Sequence, residues 1–330
     1  MSLHTPICDL FGIEHPIFLA GMGGVAYAEL CAAVSEAGGF GTLGMVGFSP
    51  AQIRDEMREV RRRTSRPFGV DLLAALPDHI HAAIDVIIDE GASAFIAGLG
   101  VPEPVIEKCH RRGVRVMAVC GKVSHAVHAE AAGCDAVVAQ GTEAGGHTGS
   151  IGGMALVPQT VDAVGIPVLA AGAIVDGRGL AAALAFGAQG AWIGTRFIAS
   201  NEARAAAVYK RRLVEAGGAD TRITRCYSGK TMRVLNNRHV EEWERRAGEI
   251  QPFPLQFLKS ASEGLLSFAD DATADAERSC MPAGQGVGGI EEILPVAEIM
   301  ERLLHDARAT IERLAKLAPT SGSEAAAARR

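Results

Sequence analysis

The sequence predicts an α/β fold: a (β/α)8 TIM barrel with a mostly helical insertion near its C-terminus. Two observations carry that prediction. Eight short apolar runs recur along the first two hundred residues, with a helix-like stretch between most neighbours. The runs are continuous in Val, Ile and Ala rather than alternating with polar residues, which fits strands buried on both faces of a parallel sheet. A doubly wound open sheet is the alternative, although such sheets more often have about five to seven strands.

The runs lie at 16–20, 40–43, 67–70, 93–97, 114–119, 135–139, 167–171 and 190–194. Helices are expected over 26–37, 50–63, 78–90, 102–111, 124–132, 154–163 and 177–186. Ser49 stands where an N-cap hydroxyl is needed for the second of these. Arg61, Arg62 and Arg63 close the same helix, where cations meet the unpaired carbonyls. Glycine follows helix after helix, as left-handed C-caps require. Residues 200–207 read as the start of the last barrel helix.

Beyond that point the pattern breaks. Residues 208–285 are rich in Arg, Asn and Glu and hold Trp243, one of two tryptophans. This segment is expected to be an inserted helical subdomain serving as a lid, a homodimer contact or both. A helix over 290–317 brings the chain back to the wall, so the barrel is expected to comprise 1–207 and 286–317. The tail 318–330 is low in complexity and expected to be disordered.

Composition excludes several function classes. A net charge of -6 and the absence of basic blocks beyond the Arg triplet argue against a nucleic-acid partner. No stretch approaches the ~20 apolar residues of a membrane helix. Seven cysteines without a C-x-x-C pair read as reduced thiols of a cytoplasmic protein, with no metal site.

In such a barrel the chemistry sits on loops leaving the C-terminal ends of the strands. Four loops stand out. Ala20-Gly21-Met22-Gly23-Gly24 follows the first run and lets backbone approach a flat ligand. Residues 141–149, Gly-Thr-Glu-Ala-Gly-Gly-His-Thr-Gly, place His147 on an exposed, pliable loop, where an imidazole exchanges protons near neutrality. Ala170-Ala171-Gly172-Ala173 and Ile193-Gly194-Thr195-Arg196 occupy the loops that commonly bind phosphate through backbone N–H groups. One phosphate suits FMN. The dinucleotide fingerprint Gly-x-Gly-x-x-Gly is missing after the first run.

Six segments together resemble the nitronate monooxygenase family, formerly the 2-nitropropane dioxygenases, which also includes flavin enoyl-ACP reductases. They are PIFLAGMGG at 16–24, PFGVDLL at 67–73, DAVVAQGTEAGGHTG at 135–149, PVLAAGAIVDGRG at 167–179, GAWIGTRF at 190–197 and PAGQGVGGI at 282–290. The resemblance implies an FMN-binding barrel in which Ala20, Gly21, Met22 and Gly23 face the flavin ring. Gln140, Gly145 and Gly146 line the cofactor, and His147 is the catalytic residue. Ala171, Gly172, Ala173, Gly194 and Thr195 hold the phosphate.

Two positions depart from the family pattern. Asp71 stands beside the flavin where Asn is usual, and an anion there disfavours the reduced anionic flavin unless it is protonated or paired. Ala173 replaces the second glycine of a common Gly-Gly pair. Lys122 matches a helix-start position and is left out of the expected site. The implied activity is oxidation of a small substrate, an alkyl nitronate, to a carbonyl compound and nitrite with O2. His147 would orient the nitro group or take the α-proton of a neutral nitroalkane. An NAD(P)H-dependent reductase acting on an enoyl thioester or quinone is the alternative. A non-catalytic flavin-binding barrel is a third reading, favoured by Asp71 alone.

Overall fold

A computed structural model describes residues 3–73, 77–100, 103–266 and 272–317; the 318–330 tail lies outside them. Eight parallel strands form the barrel: β1 (Ile17–Leu19), β2 (Gly41–Gly44), β3 (Phe68–Leu73), β4 (Ala94–Gly98), β5 (Arg115–Cys120), β6 (Ala136–Gln140), β8 (Val168–Ala171) and β9 (Gly190–Ile193). A two-residue strand, β7 (Gly146–His147), lies outside the barrel between β6 and β8. Strand order runs β1-β9-β8-β6-β5-β4-β3-β2. The ends of that order meet at a Phe18–Phe40 bridge, where Leu19 N–H donates to Phe40 O and Phe40 N–H to Ile17 O, both at 2.9 Å. Every apolar run of the sequence falls on one of these strands.

The barrel interior is filled by Phe18, Phe40, Ile96, Met117, Val138, Leu169 and Trp192. Its N-terminal end is closed by α1 (Pro6–Phe11), which packs Phe11 edge-on against Phe18 and Phe40 with ring centres 5.2 Å apart. Six residues are too few to show helical periodicity in the sequence, so α1 was not anticipated. Around the strands lie α2 (Ala28–Glu36), α3 (Pro50–Arg63), α4 (Pro77–Asp89), α5 (Glu103–His110), α6 (Val123–Ala131), α7 (Gly153–Ala163) and α8 (Gly177–Ala185). Ser49 caps α3 in a full capping box with Gln52.

The eighth wall position is reached late. After β9 comes only the short α9 (Thr195–Ile198), and α10 (Ala207–Glu215) begins where the last barrel helix was expected to be under way. The wall is completed by α13 (Val296–Ala315), whose apolar face of Ile299, Met300, Leu303 and Leu304 is buried against α2 and α8. It starts six residues later than expected because Pro295 sets its N-terminus. A Cβ at Gly177 would lie 2.1 Å from Ala307 N, so the close approach of α8 and α13 needs a residue with no side chain there.

Between α10 and α13 the chain forms α11 (Arg238–Glu244), α12 (Leu255–Ser262) and two strands the sequence did not signal, β10 (Thr221–Thr224) and β11 (Met232–Leu235). These strands pair antiparallel, and β11 pairs in turn with β7. Trp243 sits in a separate apolar cluster with Tyr227, Val234, Val240 and Leu265. All seven cysteines are buried free thiols. Among the described residues, no helix is long and apolar enough to cross a membrane.

Candidate active site

The C-terminal ends of the barrel strands open into a cavity of about 1090 Å³. Every residue the sequence nominated lines it. Ala20, Gly21, Met22 and Gly23 come from the loop after β1, Asp71 from β3, and Gln140 from the end of β6. Gly145, Gly146 and His147 come from the next loop, Ala171, Gly172 and Ala173 from the end of β8, and Gly194 and Thr195 from the end of β9.

The loop after β1 lies flat across Asp71. A Cβ on Gly21 would fall 2.1 Å from the Asp71 Cβ, so glycine alone permits this contact. Asp71 is 7% exposed and has no ion-pair partner among the described residues. Burial holds its carboxyl well above the ordinary value of 3.8, because desolvation penalises the anion. The anion feared from the sequence is thus disfavoured by the site itself.

Across the cavity, the N–H groups of Gly172, Ala173, Gly194 and Thr195 meet no protein acceptor among the described residues. Four such donors on two adjacent loops fit a phosphate. Ala173 sits in the left-handed region with φ 55°, at about 1–2 kcal/mol for a residue with a Cβ. The backbone there has a shape that glycine adopts more readily than alanine. Thr195 Oγ1 accepts from Gly284 N–H at 3.1 Å, which anchors the 282–290 segment over the same loops.

His147 differs from the expectation of an exposed, pliable loop. Its strand β7 pairs with β11, with Met232 opposite His147 and Arg233 opposite Gly146. Thr148 N–H donates to Thr231 O at 3.2 Å, and the Gln140 amide donates to the His147 carbonyl. Arg233 Nε donates to Thr142 O at 3.0 Å. The insertion therefore pins the loop. The half-buried imidazole has its Nε2 2.9 Å from Ser228 Oγ. Burial, and then the nearby Lys230 cation, lower its pKa to about 4, so His147 is neutral near pH 7.

The sequence did not nominate the residues the insertion contributes to the cavity, among them Arg225, Ser228, Lys230, Phe253 and Phe257. No motif marks them; Ser228 and Lys230 reach His147 from the segment that leads into β11, which pairs with β7. Lys122, set aside as a helix-start residue, is both the N-cap of α6 and part of the lining. Among the described residues the lining thus holds Lys122, Arg225 and Lys230 against a single acidic residue, Asp71.

A sequence model of the nitronate monooxygenase family matches residues 4–306. The chain belongs to that family. The family is one of FMN-dependent oxidoreductases. A probable nitronate monooxygenase of Staphylococcus saprophyticus is 35% identical, with 78% of this chain and 85% of that one covered. FabK from Thermotoga maritima superposes with a TM-score of 0.89 at 37% identity, covering 96% of this chain and 99% of that one. Nitroalkane oxidase from Streptomyces ansochromogenes superposes with a TM-score of 0.84 at 32% identity, covering 93% and 99%. Nitronate monooxygenase relatives and a FabK structure are therefore about equally similar to this member of the family.

Proposed function

We propose that this nitronate monooxygenase family member binds FMN in the barrel mouth and oxidises alkyl nitronates to a carbonyl compound and nitrite with O2. The observation that carries the reading is the charge of the cavity. Among the described residues three cations line it, burial disfavours ionisation of the one acid, and the imidazole beside Lys230 is uncharged. Such a cavity favours an anionic substrate, as a nitronate is.

FMN, when bound, supplies the electron-accepting and oxygen-reacting chemistry. Gly172, Ala173, Gly194 and Thr195 hold its phosphate through their free N–H groups, with Ala171 beside them. Ala20, Gly21, Met22 and Gly23 face the ring, with Asp71 behind them, where burial disfavours a negative charge. Gln140, Gly145 and Gly146 complete the lining. Lys230 attracts the substrate anion, and His147 receives the α-proton when the substrate arrives as the neutral nitroalkane.

A second reading, NAD(P)H-dependent reduction of an enoyl thioester or quinone, is favoured by the likeness to FabK of Thermotoga maritima, 37% identical with a TM-score of 0.89. Anaerobic mixing of the purified protein with NADH or NADPH separates the two. The nitronate reading expects the flavin absorbance to persist over the time of aerobic nitrite release from a nitronate. Rapid bleaching by a nicotinamide without nitrite release would establish the reductase instead.

A further inference from the structure

Ser228 is 2% exposed, and its hydroxyl has three neighbours. Lys230 N–H donates to it at 3.2 Å, the Lys230 carbonyl lies at 3.2 Å as an acceptor, and His147 Nε2 lies at 2.9 Å. A serine hydroxyl has one proton to give and two lone pairs to offer. All three contacts are satisfied in only one arrangement: the hydroxyl donates to the Lys230 carbonyl and accepts from both Lys230 N–H and His147 Nε2–H. If it donated to His147 Nε2 instead, it would face the Lys230 carbonyl oxygen with a lone pair, inside a site where unmet polar groups are costly.

We infer that Ser228 is a positioning residue that keeps the proton of neutral His147 on Nε2 and leaves Nδ1 as a bare acceptor. Nδ1 makes no hydrogen bond among the described residues, and it is not among the atoms buried without a partner, so it opens onto the cavity. The backbone supports the same ring placement. Gln140 holds the His147 carbonyl, and Met232 pairs with His147 across the β7–β11 ladder. With Nε2 occupied, the imidazole takes a proton at Nδ1 and does not donate a hydrogen bond there. Orientation of the nitro oxygens then falls to the Lys230 ammonium. A serine from the insertion, 81 residues along the chain, thereby sets which face of the barrel histidine is chemically active.

This rests on the reading of His147 as the group that meets the substrate, but the tautomer itself is measured without any turnover. The test is ¹⁵N-histidine NMR of the flavin-loaded protein near pH 7, with His147 assigned by the signals missing in His147→Asn. Long-range couplings to the ring carbon-bound hydrogens identify the protonated nitrogen. Protonation at Nε2 is expected, and protonation at Nδ1 overturns the inference. Ser228→Ala should lose the single tautomer and lower kcat on a nitroalkane about tenfold or more, part of the 10²–10⁴ a positioned base supplies, with KM and flavin content unchanged. Ser228→Thr, which restores the hydroxyl, should recover both. A Ser228→Ala spectrum identical to the wild type's also overturns it. Should Ser228→Ala fail to fold, the wild-type spectrum still decides. Should wild-type protein not turn over nitroalkanes, the functional reading fails while the tautomer result stands.

Discussion

Asp71 shows how much a single buried charge state matters at the residue scale. Its folded-state pKa lies above the ordinary 3.8 because burial penalises the anion. As pH rises past that ordinary value, the unfolded chain releases this proton while the folded protein keeps it. The contribution of Asp71 to stability therefore declines until the folded carboxyl also ionises. Asn has nearly the same shape and does not titrate. Asp71→Asn should accordingly be more stable than wild type by a margin that widens as pH rises above the ordinary value of 3.8, read from thermal melts at matched flavin content. A margin independent of pH would contradict a neutral Asp71. For the same reason the variant's flavin potential should match the wild type's at pH values where the folded carboxyl keeps its proton, and the Asn protein should become the stronger oxidant once Asp71 ionises.

Residues of this kind were only half legible in the sequence. Position 71 was recognisable from PFGVDLL, but its protonation depends on Gly21 pressing against it from another loop. The glycine-rich loops were legible because free backbone N–H groups and close approaches leave a compositional trace. Ser228 and Lys230 left none: their chemistry depends on an 81-residue separation closed by a two-residue strand.

At the scale of elements, the contact between β7 and β11 joins the insertion to the barrel. Arg233 is 6% exposed and donates to Thr142 O and to Thr221 Oγ1, both at 3.0 Å, so it ties the His147 loop to both insertion strands. Arg233→Met keeps the length of the side chain but strands the Thr142 carbonyl. The expected loss is about 1.5–3 kcal/mol, the worth of hydrogen bonds from a charged donor, measured by urea unfolding, with a lower kcat as the loop loosens. A loss below about 0.5 kcal/mol would mean that the β7–β11 ladder holds the loop unaided. These strands escaped the sequence because four-residue segments such as Thr221–Thr224 carry no periodic signal strong enough to separate them from a loop. The barrel strands did not escape, since burial on both faces makes each an unbroken apolar run.

At the scale of the whole molecule, the barrel supplies a rigid rim and the insertion supplies the far wall of one cavity. The rim, with its glycine loops and His147, could be placed from the sequence because each member follows a strand end. The wall could not, and it carries two of the three cations that line the cavity and the hydroxyl that touches the imidazole. Division of labour between rim and wall predicts where catalysis fails. Turnover by His147→Asn, on a neutral nitroalkane and on its preformed nitronate, tests this most directly. The account predicts a loss of ~10²-fold or more on the nitroalkane, the contribution of a positioned base, and a much smaller loss on the nitronate, which has no α-proton to give up. Equal losses on both would reject proton transfer to His147, and an unimpaired variant would contradict the placement of the active site.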